Sequence, residues 1–212
     1  MPASPGLFIS IEGIDGAGKS TQAKSLGAHL EAKGYGALLT REPGGSTGAE
    51  EIRKLLVEGE PGRWSPETEI LLFTAARRDH LERRILPGLA AGKTIITDRF
   101  ADSTRVYQGA VRADLRKVVD QLHTLMIARE PDLTLVIDMD PDAALARGLA
   151  RGTPEARFEK FGAEFQHRLR DGFRNLVKEY PARCKLINGD RTPVEIAHDI
   201  AAQVDAVLDA HG

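Results

Sequence analysis

The chain has 212 residues, a formal net charge of −2, and 42% hydrophobic and 28% charged residues. That is enough chain for one large domain with a substantial core, and the near-neutral balance argues against a general nucleic-acid binder, which carries a basic excess. One cysteine, Cys184, rules out an internal disulfide and a cysteine-rich metal site, and no apolar run approaches the ~20 residues of a membrane span.

Met1 to Gly6 lacks the basic start and apolar core of a signal peptide, so a cytoplasmic setting is expected. Leu7 to Ile11 is short, apolar and β-branched, and predicts a buried strand. Gly13-Ile14-Asp15-Gly16-Ala17-Gly18-Lys19-Ser20 fits G-x-x-x-x-G-K-[ST], a phosphate-binding loop. Lys19 to Lys33 predicts the helix that must follow it, with Ala23, Leu26, Gly27 and Leu30 on one face. The glycines let backbone N–H groups converge on phosphate oxygens, the helix N-terminus adds partial positive charge, and Lys19 adds a full one. Ser20 offers a hydroxyl to Mg²⁺. The loop residues, with Thr21 after them, are the expected contacts of a nucleotide's phosphates.

Tyr35 to Thr40 reads as a second strand running into the breaker-rich turn Arg41-Glu42-Pro43-Gly44-Gly45. Thr47 to Glu58 predicts a helix, and Gly59 to Ser65 a loop. A long helix starts at Pro66 with Ser65 as its cap and ends near Leu86-Pro87-Gly88. Thr94 to Thr97 is a third strand, ending in Asp98-Arg99. Helices follow from about Asp102 to Gly109 and from Asp114 to Arg129, the second with Leu115, Val118, Val119, Leu122, Leu125 and Met126 as its apolar face. Leu133 to Ile137 is a fourth strand ending in Asp138. Ala143 to Ala150 and Glu155 to Tyr180 are helical on either side of Gly152-Thr153-Pro154. Lys185 to Ile187 is a short fifth strand, and Pro193 to Leu208 a last helix.

Short apolar strands alternating with helices predict an α/β fold, one parallel sheet covered on both faces. With no internal repeat or linker, residues 1–212 read as one domain. Ligands in such folds bind at the carboxyl ends of the strands, here Glu12-Gly13, Arg41-Glu42, Asp98-Arg99 and Asp138. Two aspartates compete to hold Mg²⁺. Asp98 is preferred over Asp138 because Arg99 follows it, pairing a metal-side anion with a phosphate-side cation. Phe73 and Arg77 share a helix face and suit base stacking and edge recognition; taken alone, the pair reads better as a core ring and a surface ion pair. Arg53, taken alone, reads as a solvated helix charge. Arg147, Arg151 and Arg157 flank the 152–154 break and read equally as an arginine-bearing lid over about 147–160 or as an ordinary solvated basic face. Cys184 reads as a small buried hydrophobe.

These residues carry a resemblance. Glu12 through Gln22, Thr40-Arg41-Glu42-Pro43-Gly44-Gly45, Leu72-Phe73-Thr74-Ala75-Ala76-Arg77-Arg78, and Asp98-Arg99-Phe100 with Ser103, Tyr107, Gln108 and Gly109 resemble the thymidylate kinase family. The likeness runs on through Pro131-Asp132-Leu133-Thr134 to the last helix. It implies a nucleoside-monophosphate-kinase-like fold with a five-stranded sheet, ATP and Mg²⁺ dependence, phosphorylation of dTMP to dTDP, and a homodimer. It implies Phe73 stacked on thymine, Arg77 at a thymine carbonyl and Gln108 near N3. Arg99 and Arg53 would hold the acceptor phosphate, Tyr107 would sit by the sugar, and Asp15 near the 3′-hydroxyl. Glu42 and Pro43 would line the acceptor side, and Ser103 and Thr104 the base. Some members carry a basic residue at the place of Gly16. This chain does not, so the catalytic arginine is expected from the lid, Arg151 before Arg157. Another P-loop nucleoside or nucleotide kinase is the nearest alternative. A GTP-driven switch is disfavoured, because the chain lacks the N-K-x-D that reads guanine.

Overall fold

The structure is a computed structural model that describes residues 6–60, 62–151 and 162–211, with backbone only for 148–151 and 211. Five strands form one sheet: β1 (Phe8–Glu12), β2 (Ala37–Arg41), β3 (Thr94–Asp98), β4 (Leu133–Asp138) and β5 (Cys184–Asn188). Their spatial order is β2-β3-β1-β4-β5 and every pairing is parallel. The connection leaving β1 runs toward β2 and the one leaving the neighbouring β3 runs the other way to β4, so the switch point where such sheets open a ligand crevice lies between β1 and β3. The phosphate loop leaves from β1.

Alternation along the central strands divides the core between two faces. Ile9, Ile11 and Ile96 pack with Leu26, Leu30 and Ile200 on one side. Phe8 and Ile95 pack with Leu81, Ile85, Phe100 and Ile127 on the other. The first side is covered by α1 (Lys19–Ala32) and α9 (Pro193–His211); α8 (Ala163–Glu179) lies on the opposite side, where its Arg170 and Arg174 hold Asp138. The second is covered by a π-helical turn (Leu81–Ile85) that extends α3 (Pro66–His80) into α4 (Leu86–Ala90), and by the start of α5 (Ala101–Val111). The remaining helices are α2 (Thr47–Val57), α6 (Ala113–Leu122), continued by a second π turn (His123–Ile127), and α7 (Pro141–Arg151).

Local chemistry sets several ends. The Ser65 hydroxyl accepts from the Thr68 N–H at 3.2 Å, capping α3 with Pro66 in its first turn. Thr192 and Glu195 form a reciprocal capping box at α9. Cys184 begins β5 and is buried, as expected, and that burial pushes its thiol up to about 12. Two expectations need correction. The long helices continue through π turns instead of running as single α-helices; near the first, Pro87 has no N–H to return to the preceding turn. Leu125 and Met126 belong to no core: they are 76% and 51% exposed. The α8 helix is described from Ala163, after Gly162 at φ +82°, so the expected start at Glu155 lies outside the described residues.

Candidate active site

At the carboxyl end of β1 the chain turns through Gly13, Gly16 and Gly18, all at positive φ. At Gly16 the need is also steric, because a Cβ there would lie 1.9 Å from the Ala144 carbonyl oxygen of α7. Gly18 sits in the left-handed region at the start of α1, and no side chain caps that helix. Its first N–H groups therefore face the loop's concavity as anion donors. The Lys19 Nζ folds back to the Ile14 carbonyl at 2.8 Å. Burial, and then the nearby Arg99, lower the Lys19 ammonium to about 8. An entering phosphate would reverse that balance.

A cavity of about 310 Å³ opens beside this loop. Asp15, Gly16, Gly18, Lys19, Ser20 and Thr21 line it, whereas Ile14 and Ala17 bury their side chains in the core. Arg99 joins the loop to α5. Its Nη1 donates to the Gly13 carbonyl at 3.1 Å and to Ser103 Oγ at 3.0 Å, and its Nη2 donates to Asp15 and to the Tyr107 hydroxyl. Tyr107 in turn donates to Asp15 Oδ2 at 3.0 Å. Although burial opposes its ionisation, Arg99 and then Lys19 hold the Asp15 carboxyl below its usual range. Arg99 itself has φ +72°, an unfavourable setting for a long side chain. Neighbouring bonds hold that backbone: its N–H donates to the Ile11 carbonyl, its carbonyl accepts from Thr97 Oγ1, and the next N–H, of Phe100, donates to Glu12 at 2.7 Å. Ser103 also donates to Glu12, at 2.5 Å. Burial and the neighbouring Asp102 push the Glu12 carboxyl up to about 8.

The far end of the cavity is built from α3 and α5. Phe73 is half-buried and lines it with Thr104, Tyr107 and Gln108. Arg77 is only 3% exposed, which overturns the surface ion pair that its spacing alone allowed. Its Nε donates to Glu42 Oε2 at 2.7 Å and its Nη2 to Thr104 Oγ1 at 2.8 Å, so it borders the cavity from behind those residues. His80, which sequence reasoning passed over, is fully buried and bonds Glu42 on one ring nitrogen and Thr40 Oγ1 on the other. Glu42 and Pro43 line the cavity and share a cis peptide. Arg53 is no free surface charge: its Nη1 donates to the Pro43 carbonyl at 2.6 Å and it faces the cavity. Arg41 and Val57 also line the cavity and had been given no role. For Arg41 the signal was its place at a strand's carboxyl end.

The rival aspartates separate. Asp98 lines the cavity and accepts from the Ser20 hydroxyl. Asp138 is clasped by Arg170 at 2.7 Å and Arg174 at 2.8 Å, which takes up its oxygens. A hydroxyl beside a carboxylate is a hard oxygen pair that suits Mg²⁺ completed by water and phosphate oxygens. No cluster of three or more metal-ligating side chains exists among the described residues, and a magnesium held mainly by substrate needs none. Arg147 Nη1 points at the Met139 sulfur at 3.5 Å. The Arg151 side chain and all of Arg157 lie outside the described residues, as does most of the expected lid. No helix among the described residues is long and apolar enough to cross a membrane.

Comparison with known proteins agrees with this geometry. The family model described as thymidylate kinase matches residues 11–200. A thymidylate kinase of Dinoroseobacter shibae is 66% identical over 200 residues, 94% of this chain and 97% of that protein. One of Caulobacter vibrioides is 48% identical over 208 residues, 98% of each. The crystal structure of thymidylate kinase from Ehrlichia chaffeensis superposes with a TM-score of 0.77 at 35% identity, covering 95% of this chain and 99% of that one.

Proposed function

The chain belongs to the thymidylate kinase family, and on that premise we propose that it transfers the γ-phosphoryl group of ATP to dTMP, giving dTDP and ADP, with the residues of this cavity in the following roles. The observation that carries the reading is the continuity of the cavity. Lys19 and Ser20 line it at the phosphate loop, Phe73 and Gln108 line it at the far end, and Arg99 ties the loop to α5.

A dTMP phosphate oxygen, already anionic near neutral pH, attacks the γ-phosphorus in line, so no general base is required. Positioning and charge neutralisation then supply the rate. Lys19 exchanges the Ile14 carbonyl for phosphate oxygens. Arg99 and Arg53 hold the acceptor phosphate. Phe73 stacks on thymine, with Arg77, Ser103, Thr104 and Gln108 at its edges. Asp15 accepts from the 3′-hydroxyl, and Tyr107, held by Asp15 and Arg99, crowds the sugar's 2′-carbon against a ribose. Ser20 and Asp98 would hold Mg²⁺, which when bound screens the charge on the phosphates. Arg151, with Arg157 second, supplies the positive charge that Gly16 does not, and closure of the 147–160 segment keeps water from acting as acceptor. The reaction belongs in the cytoplasm, where ATP is available.

The enzyme works as a homodimer. Leu71, Val118, Leu125 and Met126 are exposed on α3, α6 and its π turn. These elements pack side by side, with Arg78 of α3 donating to the Met126 carbonyl at 2.7 Å. An apolar surface of this kind is covered in a stable assembly.

A turnover panel of dTMP, dUMP, dCMP, AMP and GMP tests the reading; preference for AMP or dCMP sinks it in favour of another nucleotide kinase. The dTMP-over-dUMP margin rests on one methyl group and is expected to be ~1–3 kcal/mol. Lys19→Met is expected to abolish turnover nearly completely while circular dichroism stays native; activity close to wild type would remove Lys19 from the mechanism.

A further inference from the structure

Glu69, Phe73 and Arg77 recur every fourth residue along α3 and so share one face. The middle residue lines the cavity, and both charged neighbours are buried. Glu69 Oε2 accepts from Gln108 Nε2 at 3.2 Å. Gln108 lines the cavity, and its Oε1 is buried with no hydrogen-bond partner among the described residues. A carboxamide can turn over by half a rotation and exchange its acceptor for its donors. With Glu69 Oε2 placed as the acceptor, the NH₂ end is held toward Glu69 and the oxygen is left for whatever enters.

We propose that Glu69 is a specificity-determining positioning residue: by fixing the polarity of the Gln108 amide it makes the cavity select an imide base, which presents an N–H, over an aminopyrimidine, which presents a lone pair at the same ring nitrogen. The inference rests on the dTMP reading above and adds to it the residue that enforces the base class. Thymine and uracil offer their N3–H to Gln108 Oε1. Cytosine sets its N3 lone pair against that oxygen, and both acceptors are then buried unpaired. Glu69 itself need not touch the substrate. Phe73 stacks equally well on any pyrimidine, so stacking cannot make this choice.

The test is Glu69→Gln, which keeps size and burial but presents an amide able to pair with Gln108 in either polarity. Values of kcat/KM are measured for dTMP, dUMP and dCMP on the full-length enzyme with ATP saturating. The dTMP-to-dCMP ratio is expected to fall about tenfold or more, through a rise in the KM for dTMP and a gain with dCMP. The dTMP-to-dUMP ratio and the KM for ATP should not move, since both bases share the imide edge. Proportional loss with all three acceptors would mean a merely structural Glu69 and overturn the proposal. Wild-type enzyme that accepts dCMP as readily as dTMP would instead overturn the underlying function, so the two failures are distinct. Should the variant not fold, wild-type enzyme with dTMP carries the test by proton NMR. The bound imide proton is expected to be hidden from solvent exchange, and free exchange would overturn the assignment.

Discussion

Glu12 has no exposed surface, and its carboxyl is pushed up to about 8 by burial and by Asp102. The folded chain therefore binds a proton there that the unfolded chain releases above its ordinary value of 4.5. Stability from this group is complete below 4.5 and is lost as pH rises toward 8. Glu12→Gln resembles the protonated form, so its urea midpoint is expected to change less between pH 5 and pH 8 than that of wild type; equal slopes would show that Glu12 does not titrate in this window. Lys19 has the opposite sign, its cost present below about 8 and relieved as pH rises toward 10.5. At this scale the phosphate end of the site was legible, because loop, lysine and hydroxyl are contiguous in sequence. The far end, built from α3 and α5, was legible only in part. Arg77 is buried by an ion pair with Glu42, 35 residues away on another element, and spacing along α3 cannot reveal such a partner. Glu69 carried a signal that went unread, since it stands one helical turn before Phe73.

Among the elements, α5 depends on the least apolar part of the interior. Asp102 is wholly buried and accepts from Arg105 of its own helix at 2.7 Å and from Arg183, just before β5, at 2.5 Å. Arg105 also reaches Asp120 of α6 and Glu130. Removing one member leaves buried charge uncompensated. Asp102→Ala is therefore expected to cost ~3–5 kcal/mol in denaturant unfolding; a loss below ~1 kcal/mol would show that surrounding water or side chains compensate. This network fixes the helix that carries Ser103, Thr104, Tyr107 and Gln108, so part of the site's geometry rests on charges remote from it. Every strand was recognisable from its apolar β-branched run, with ends within two residues. The π turns were not, because an extra residue in a turn leaves the helical pattern on either side intact and shifts only its phase.

For the molecule as a whole, the misplaced residues are informative. Leu125 and Met126 completed a helical apolar stripe in the sequence, yet they face outward, as Leu71 does. A stripe records only that a face avoids water and cannot say whether the cover is the chain's own core or a second copy. On the homodimer reading proposed above, Leu125→Glu is expected to sediment as a monomer in analytical ultracentrifugation without changing the circular dichroism spectrum, and a sedimentation coefficient equal to that of the unsubstituted chain would exclude this face as the contact. The seat of α7 on the phosphate loop has a consequence of another kind. At Gly16 any side chain begins 1.9 Å from the Ala144 carbonyl, a backbone atom that cannot swing aside. A basic residue at this point therefore needs α7 or the loop backbone to sit differently from here. A charge added at Gly16 alone arrives before there is room for it, so one substitution does not give this chain a basic residue in its phosphate loop without a shift of the backbone around it.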